Sequence, residues 1–294
     1  LKVALIEPAC DSIPGILRAE KINLLSLPET QLEAIDTFLS TTGVDVVWII
    51  LPNNPTGLTL SEQAFCQLVE ACRRQGIMLV IDFCFRFFCE EMLWDQYSIL
   101  EGSGVSYIAI EDTGKTWPSQ ELKVGILQSS SDVYADLHYY YDNHLLQVSP
   151  VILGLLIELI EDTQMHGPAE TIHKAVRANR EYVVECARQT VLQYQPPRAL
   201  VPFAWLEITD GKVEAMQLWK LCSQEGVHIL PGFSFFWHDL SFGQRFIRIA
   251  LSRDPLTVQV GMEKLKEVSL RLSAAPPTYD LSMASQRGQA GRHS

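Results

Sequence analysis

VDVVWIILPNNPTG (Val44–Gly57) sets a continuous apolar, β-branched run directly against a polar turn. A strand needs apolar residues at every position, rather than every second one, when both of its faces are covered. Such strands lie inside mostly parallel sheets with helices on both sides. The Pro-Asn-Asn-Pro-Thr-Gly that follows is turn chemistry, so the chain leaves the strand abruptly at its carboxyl end. A helix is expected from about Ser61, with Thr59 and Glu62 at capping-box spacing and Phe65, Leu68, Val69 and Cys72 on one face.

The same alternation continues on either side. Upstream, Val3–Ile6 and Leu24–Leu27 read as short strands, and Asp11–Glu20 and Leu32–Ser40 as helices. Downstream, IMLVID (Ile77–Asp82), YIAIED (Tyr107–Asp112) and KVGIL (Lys123–Leu127) read as further strands. Strands alternating with helices predict an α/β fold with a mostly parallel sheet and flanking helices. Ligands of such sheets bind beyond the carboxyl ends of the strands. The chemically distinctive residues fall there: Asn54, Asp82 and Lys115.

The pattern changes after about Ser129. Helices are expected over Asp132–Asn143, Ser149–Met165 and the long amphipathic stretch Gly167–Tyr194. Ala199–Thr209 reads as a strand, Lys212–Glu225 as a helix, and VHILPG and FIRIALS as strands. This divides the chain into a large domain (1–165), a smaller C-terminal α+β domain (166–273) and a Ser-, Ala-, Gly- and Gln-rich tail (274–294) with a composition typical of disorder.

Composition narrows the function. A net charge of −12 argues against nucleic acid and anionic membrane as partners. The most apolar run, Val151–Ile160, is about half the length needed to cross a bilayer and contains Glu158. The opening LKVALIEPACDS has neither the long apolar core nor the cleavage site of a signal peptide. Seven scattered cysteines suit a reducing cytoplasm.

Gly114-Lys115-Thr116 suggests nucleotide binding, but a phosphate-binding P-loop requires an earlier glycine where this chain has Ala109, inside a strand. No serine lies in a Gly-x-Ser-x-Gly elbow, and the histidines lack zinc-ligand spacing, so no metal is expected. What remains is a constellation on consecutive strand ends: LPNNPTG, then Asp82 closing an apolar strand, then Lys115 with Lys123 eight residues on.

In this order and spacing the set resembles the fold-type I pyridoxal-phosphate enzymes, specifically the class I/II aminotransferase family. EGVHILPGFSFF (Glu225–Phe236) and RFIRIALS (Arg245–Ser252) resemble that family's small-domain segments. The resemblance spans roughly residues 1–270. It implies pyridoxal 5'-phosphate as cofactor, amino acid and keto acid as substrates, and a homodimer. It implies Lys115 as Schiff base and proton carrier, Asp82 against the pyridine nitrogen, and Asn54 on the cofactor's 3-oxygen. Lys123 would contact phosphate, and Arg248 the substrate carboxylate. The chemistry is consistent: a buried carboxylate keeps a ring nitrogen protonated, and the protonated ring accepts charge from the α-carbon.

Several positions depart from the family pattern. Phe85 stands where a tyrosine would bond the 3-oxygen. Cys10 stands at the place of an aromatic ring-stacker. Asp112 replaces a phosphate-binding Ser or Thr, for which Thr113 is the substitute. The family's N-terminal part is expected to be missing, since the chain opens directly in an apolar run. These departures resemble a divergent branch, the arginine oxidases/hydroxylases and the capreomycidine-forming cyclase. Transamination, oxidation or cyclisation of an arginine or hydroxyarginine, and a fragment without cofactor all stay open at this stage.

Overall fold

The computed structural model describes residues 1–92, 94–117, 119–145, 147–197 and 199–274, without the side chain of residue 120. In chain order the first half runs β1 (Lys2–Glu7), α1 (Ser12–Ala19), β2 (Asn23–Pro28), α2 (Ile35–Thr42), β3 (Val46–Ile50), α3 (Glu62–Gln75), β4 (Met78–Asp82), α4 (Gln96–Ser103), β5 (Tyr107–Asp112), the single turn α5 (Thr113–Thr116) and β6 (Gly125–Ser129). There follow α6 (Ser131–His144), α7 (Pro150–His166), α8 (Pro168–Thr171), α9 (His173–Ala187), β7 (Leu192–Gln195), β8 (Phe203–Ile208), α10 (Ala215–Gln224), β9 (Leu230–Pro231), β10 (Phe246–Ala250) and α11 (Pro255–Ala274).

The first six strands form one sheet in the order β2-β1-β3-β4-β5-β6. All neighbours are parallel except β6, which runs antiparallel to β5 along one edge. The central strand β3 has its reason in composition: Val47, Ile49 and Ile50 are all but fully buried. β1 pairs with β2 on one side and β3 on the other, so the order of strands reverses there. Register puts Ile50 level with Asp82, and Asp82 level with Ile110. The carboxyl ends of β1, β3, β4 and β5 therefore open side by side at the switch point, where ligands of such sheets bind.

β7, β8, β10 and β9 form a second, antiparallel sheet. One hydrophobic core runs through the helices and strands of both sheets, from Leu5 and Val47 to Leu206 and Ile247. The sheets are also tied at the site: the Ala9 amide, just past β1, donates to the Phe235 carbonyl at 3.0 Å.

The structure corrects four sequence expectations. The cap of α3 is Ser61, whose hydroxyl accepts from the Ala64 amide at 3.2 Å, and not Thr59, which is buried. The helix expected over Gly167–Tyr194 breaks at Ala187. Thr190 there turns its hydroxyl back onto the Ala187 carbonyl, and Leu192–Gln195 pairs with β8 instead. α4 and α11 were not expected. Each starts at an aspartate cap, Asp95 accepting from the Ser98 amide and Asp254 from the amides of Leu256 and Thr257. Of the expected tail, only Ala274 lies within the described residues, and it closes α11.

Candidate active site

Asp82 ends β4, where it is half-buried. Its Oδ1 accepts the Cys84 amide at 2.9 Å. Burial pushes its carboxyl above the ordinary range, the bonds from Cys84 oppose that, nearby Asp112 adds to it, and the positive charge of Lys115 counters it. The neighbouring Cys84 thiol is raised by burial, then by Asp82 and Asp112, with Lys115 again opposing. The charges of Asp112 and Lys115 thus both act on Asp82 and Cys84.

Lys115 reaches that place because β5 turns into α5 as soon as it ends. The Asp112 carboxylate caps the turn, accepting from the Gly114 amide at 2.9 Å. The Lys115 amine is exposed and makes no hydrogen bond or ion pair among the described residues. Asp112 also faces Lys123, whose Nζ lies 3.6 Å from Oδ2. The Thr113 hydroxyl accepts the Val124 amide at 2.8 Å and is buried, so it fastens α5 to the segment leading into β6.

Asn54, past β3, is buried, and its Oδ1 accepts from Arg248 Nη1 at 3.1 Å. This bond joins the two sheets, since Arg248 lies on β10. The Arg248 guanidinium sits over the rings of Phe203 and Phe235, 5.4 and 5.7 Å from their centroids. Burial pulls it below the ordinary arginine range, while Cys10 and Asp11 oppose and Arg253 adds. Its Nε is buried with no partner among the described residues. A half-buried guanidinium whose Nε–H has no partner is suited to a carboxylate. Phe85 packs edge-on against Phe203, 5.2 Å between ring centres, and so completes the wall under Arg248. Cys10 is partly exposed, its Sγ 3.5 Å from the Ser12 hydroxyl.

The nine residues singled out in the sequence therefore fall into two groups at adjoining strand ends. One is Asp82, Asp112, Thr113, Lys115 and Lys123, and the other is Cys10, Asn54, Phe85 and Arg248. Sequence reasoning missed Cys84, Phe203 and Phe235. Phe235 lies within a small-domain segment that the sequence marked, but Phe203 carries no local signal, because its neighbour Arg248 is distant in the chain. A cavity of about 480 Å³ lined by Glu207, Asp210, Glu214 and Arg245 lies against the second sheet and includes none of these residues. Two of its carboxylates are engaged, Glu207 by Arg245 and Asp210 by the Lys212 amide and Ser273. Among the described residues no cluster of His, Cys, Asp and Glu could hold a metal ion, and no helix is long and apolar enough to cross a membrane.

The profile of the family described as "Aminotransferase class I and II" matches residues 2–265. LL-diaminopimelate aminotransferase of Natranaerobius thermophilus is 25% identical over 228 residues, covering 76% of this chain. This chain spans 56% of that relative's length, little more than half. The solved structure of MppP soaked with the product 2-ketoarginine superposes with a TM-score of 0.84 at 30% identity, over 93% of this chain and 76% of that one. LysN, the alpha-aminoadipate aminotransferase of Thermus thermophilus, shares the fold with a TM-score of 0.80 at 20% identity, over 93% and 72% of the two chains.

Proposed function

Because the chain belongs to the class I and II aminotransferase family, a family dependent on pyridoxal phosphate, we propose that it is a pyridoxal-phosphate enzyme transferring the amino group of an amino acid to a keto acid. The observation that carries this reading is the Asn54–Arg248 bond, which closes the second sheet over the strand ends holding Asp82 and Lys115. The residues fit the cofactor on three counts. A half-buried carboxylate at Asp82, raised by desolvation, calls for a cation, the Lys115 amine has no partner among the described residues, and the orphaned Nε of Arg248 calls for an anion.

Bound pyridoxal phosphate supplies an electron sink for charge that develops at the substrate α-carbon. Asp82 holds the proton on the ring nitrogen, its ionised form favoured once that cation lies against it. Asn54 has its Oδ1 committed to Arg248, so its Nδ2 is the donor left for the cofactor's 3-oxygen. Lys115 would hold the cofactor through its amine and would take and return the proton at the substrate α-carbon. Arg248 binds the substrate carboxylate through the edge that Asn54 leaves open, and Phe203 and Phe235 keep water from that contact. Lys123 would hold the phosphate in place of its exposed contact with Asp112, a pair worth about 1 kcal/mol or less. Phe85 offers the 3-oxygen no hydroxyl, Cys10 would border the cofactor in place of an aromatic ring, and Thr113, which fastens α5, would stand in for the phosphate-binding Ser or Thr.

The amino-acid and keto-acid substrates, a homodimer and a cytoplasmic location belong to the same proposal. Seven free cysteines suit a reducing compartment. The dimer is supported by apolar side chains that α6 and α7 leave in solvent, among them Tyr139 and Val151.

The test is to add pyridoxal phosphate to the full-length protein and follow the visible absorbance. Borohydride should then fix the cofactor's mass on the peptide containing Lys115. Lys115→Ala should abolish that adduct and lower turnover by at least about 100-fold, with stability within about 0.5 kcal/mol of wild type. An adduct that survives in Lys115→Ala sinks the assignment.

A second reading, oxidation of arginine or cyclisation of a hydroxyarginine, is favoured by Phe85 and by the likeness to MppP. Incubation with a panel of amino acids separates the two. Keto acid formed only with a second keto acid as amino acceptor supports transfer, and oxygen uptake with ammonia release and no acceptor supports oxidation.

A further inference from the structure

The turn carrying Asn54 is gripped from behind by a carboxylate that belongs to neither group of site residues. Glu29 follows directly on β2. Its Oε1 accepts two hydrogen bonds, from Asn53 Nδ2 at 2.6 Å and from the Thr56 hydroxyl. Asn53 Nδ2 also donates to the Pro8 carbonyl at 2.9 Å. Asn53 is fully buried, its amide donates to the Leu58 carbonyl at 2.8 Å, and its carbonyl accepts from the Gly57 amide at 2.7 Å.

These bonds form one knot across three strand ends. It joins the segment after β1, which leads to Cys10, to the segment after β3, in which Asn53 directly precedes Asn54. The turn closes on its own through Gly57 and Asn53, so closure does not require Glu29. Burying a carboxylate costs free energy, and hydrogen bonds donated to a charged acceptor are about twice as strong as neutral ones. What the arrangement adds is a fixed place for the turn.

We propose that Glu29 is a positioning residue for the cofactor site: through Asn53 and Thr56 it sets where Asn54 meets the cofactor's 3-oxygen, and through Asn54 it sets Arg248. The proposal rests on the reading of the site as a pyridoxal-phosphate site. A donor on the 3-oxygen favours its ionised form. Loosening Asn54 therefore moves the pH midpoint of the bound cofactor's visible absorbance upward.

The experiment is a pH titration of that absorbance in the full-length protein loaded with pyridoxal phosphate. Glu29→Ala should raise the midpoint by roughly 0.5–1 pH unit, and Thr56→Val, which removes one donor, by a smaller amount. Glu29→Gln keeps an acceptor at Oε1 and should stay near wild type. The KM for the amino acid should rise several-fold in Glu29→Ala as Arg248 loses its brace. An unshifted midpoint in cofactor-loaded Glu29→Ala overturns the proposal, as does a Glu29→Gln shift as large as that of Glu29→Ala. If Glu29→Ala fails to fold or to load, Thr56→Val decides: a raised midpoint supports the proposal and an unchanged one overturns it. A wild-type protein with no visible band overturns the cofactor reading itself, and the role of Glu29 falls with it.

Discussion

Asp82 is a carboxylate held for a partner. Burial raises its carboxyl, and the bonds from Cys84 and the charge of Lys115 offset that only in part. A carboxyl raised on folding binds more protons in the folded state than in the unfolded state between its two values. Stability is then greatest below the unfolded value, about 3.9, and falls as pH rises through the folded one. Asp82→Asn removes this loss. Without cofactor, the variant should melt above wild type at neutral pH, by a few degrees at most, and the gap should close below about pH 4. With cofactor the sign reverses, since the amide holds no proton on the ring nitrogen. The cofactor should then stabilise the variant less than wild type, and turnover should fall by about 100-fold or more. Melting curves with and without pyridoxal phosphate read both effects. A cofactor-free variant that melts below wild type at neutral pH counts against a carboxylate that burial raises and no ion pair offsets.

At the scale of the element, local pattern carries the covered strands and the residues that end them. Val46–Ile50 announces a covered strand because every side chain is apolar, and Asp82 stands out because an acid ends such a run. β7 is different. Val191 and Tyr194 continue the spacing of Val183 and Ala187 in the preceding helix, and only pairing with β8 makes Leu192–Gln195 a strand. Asp254-Pro255, an N-cap followed by proline at the first helical position, is a local signal for α11 that the apolar periodicity alone does not carry. Glu29 had no local signal, because its partners come 24 and 27 residues later. The turn after β3 joins the two kinds of information. Gly57 is legible as a turn glycine, and its φ of +71° confirms the need for one. The structure adds that a Cβ there would lie 2.4 Å from Pro197 Cβ and 3.1 Å from Val201 Cγ2. Gly57→Ala combines backbone strain with overpacking and should cost about 2–4 kcal/mol in denaturant unfolding. Because Asn53 accepts the Gly57 amide, the same change should weaken cofactor binding. A loss below about 0.5 kcal/mol would mean that the segment around Pro197 yields freely.

At the scale of the whole molecule, the unbalanced feature is the surface of α6 and α7. Neither helix has a buried residue. Val151 is 81% exposed, Ile157 54% and Tyr139 66%, in helices of 14 and 17 residues. Helices of that length draw most of their stability from packing an apolar face, and an exposed apolar surface of this kind marks an interface. The proposed homodimer gives it an occupant. The net charge of −12 on each copy opposes association at long range, while apolar burial favours it at contact. Added salt screens the first and leaves the second, so the dimer should tighten between about 0.02 and 0.3 M salt. A charge placed in the apolar contact should undo it. Ile157→Glu is expected to leave the melting of a dilute, monomeric sample within about 0.5 kcal/mol of wild type, since the side chain is already exposed in one copy. The same substitution should shift the sedimenting species from twice the 33.1 kDa chain mass to one chain mass. Wild-type protein that sediments as a monomer at high concentration and high salt, with the α6 and α7 amides protected from hydrogen exchange, would show that these helices need no second copy.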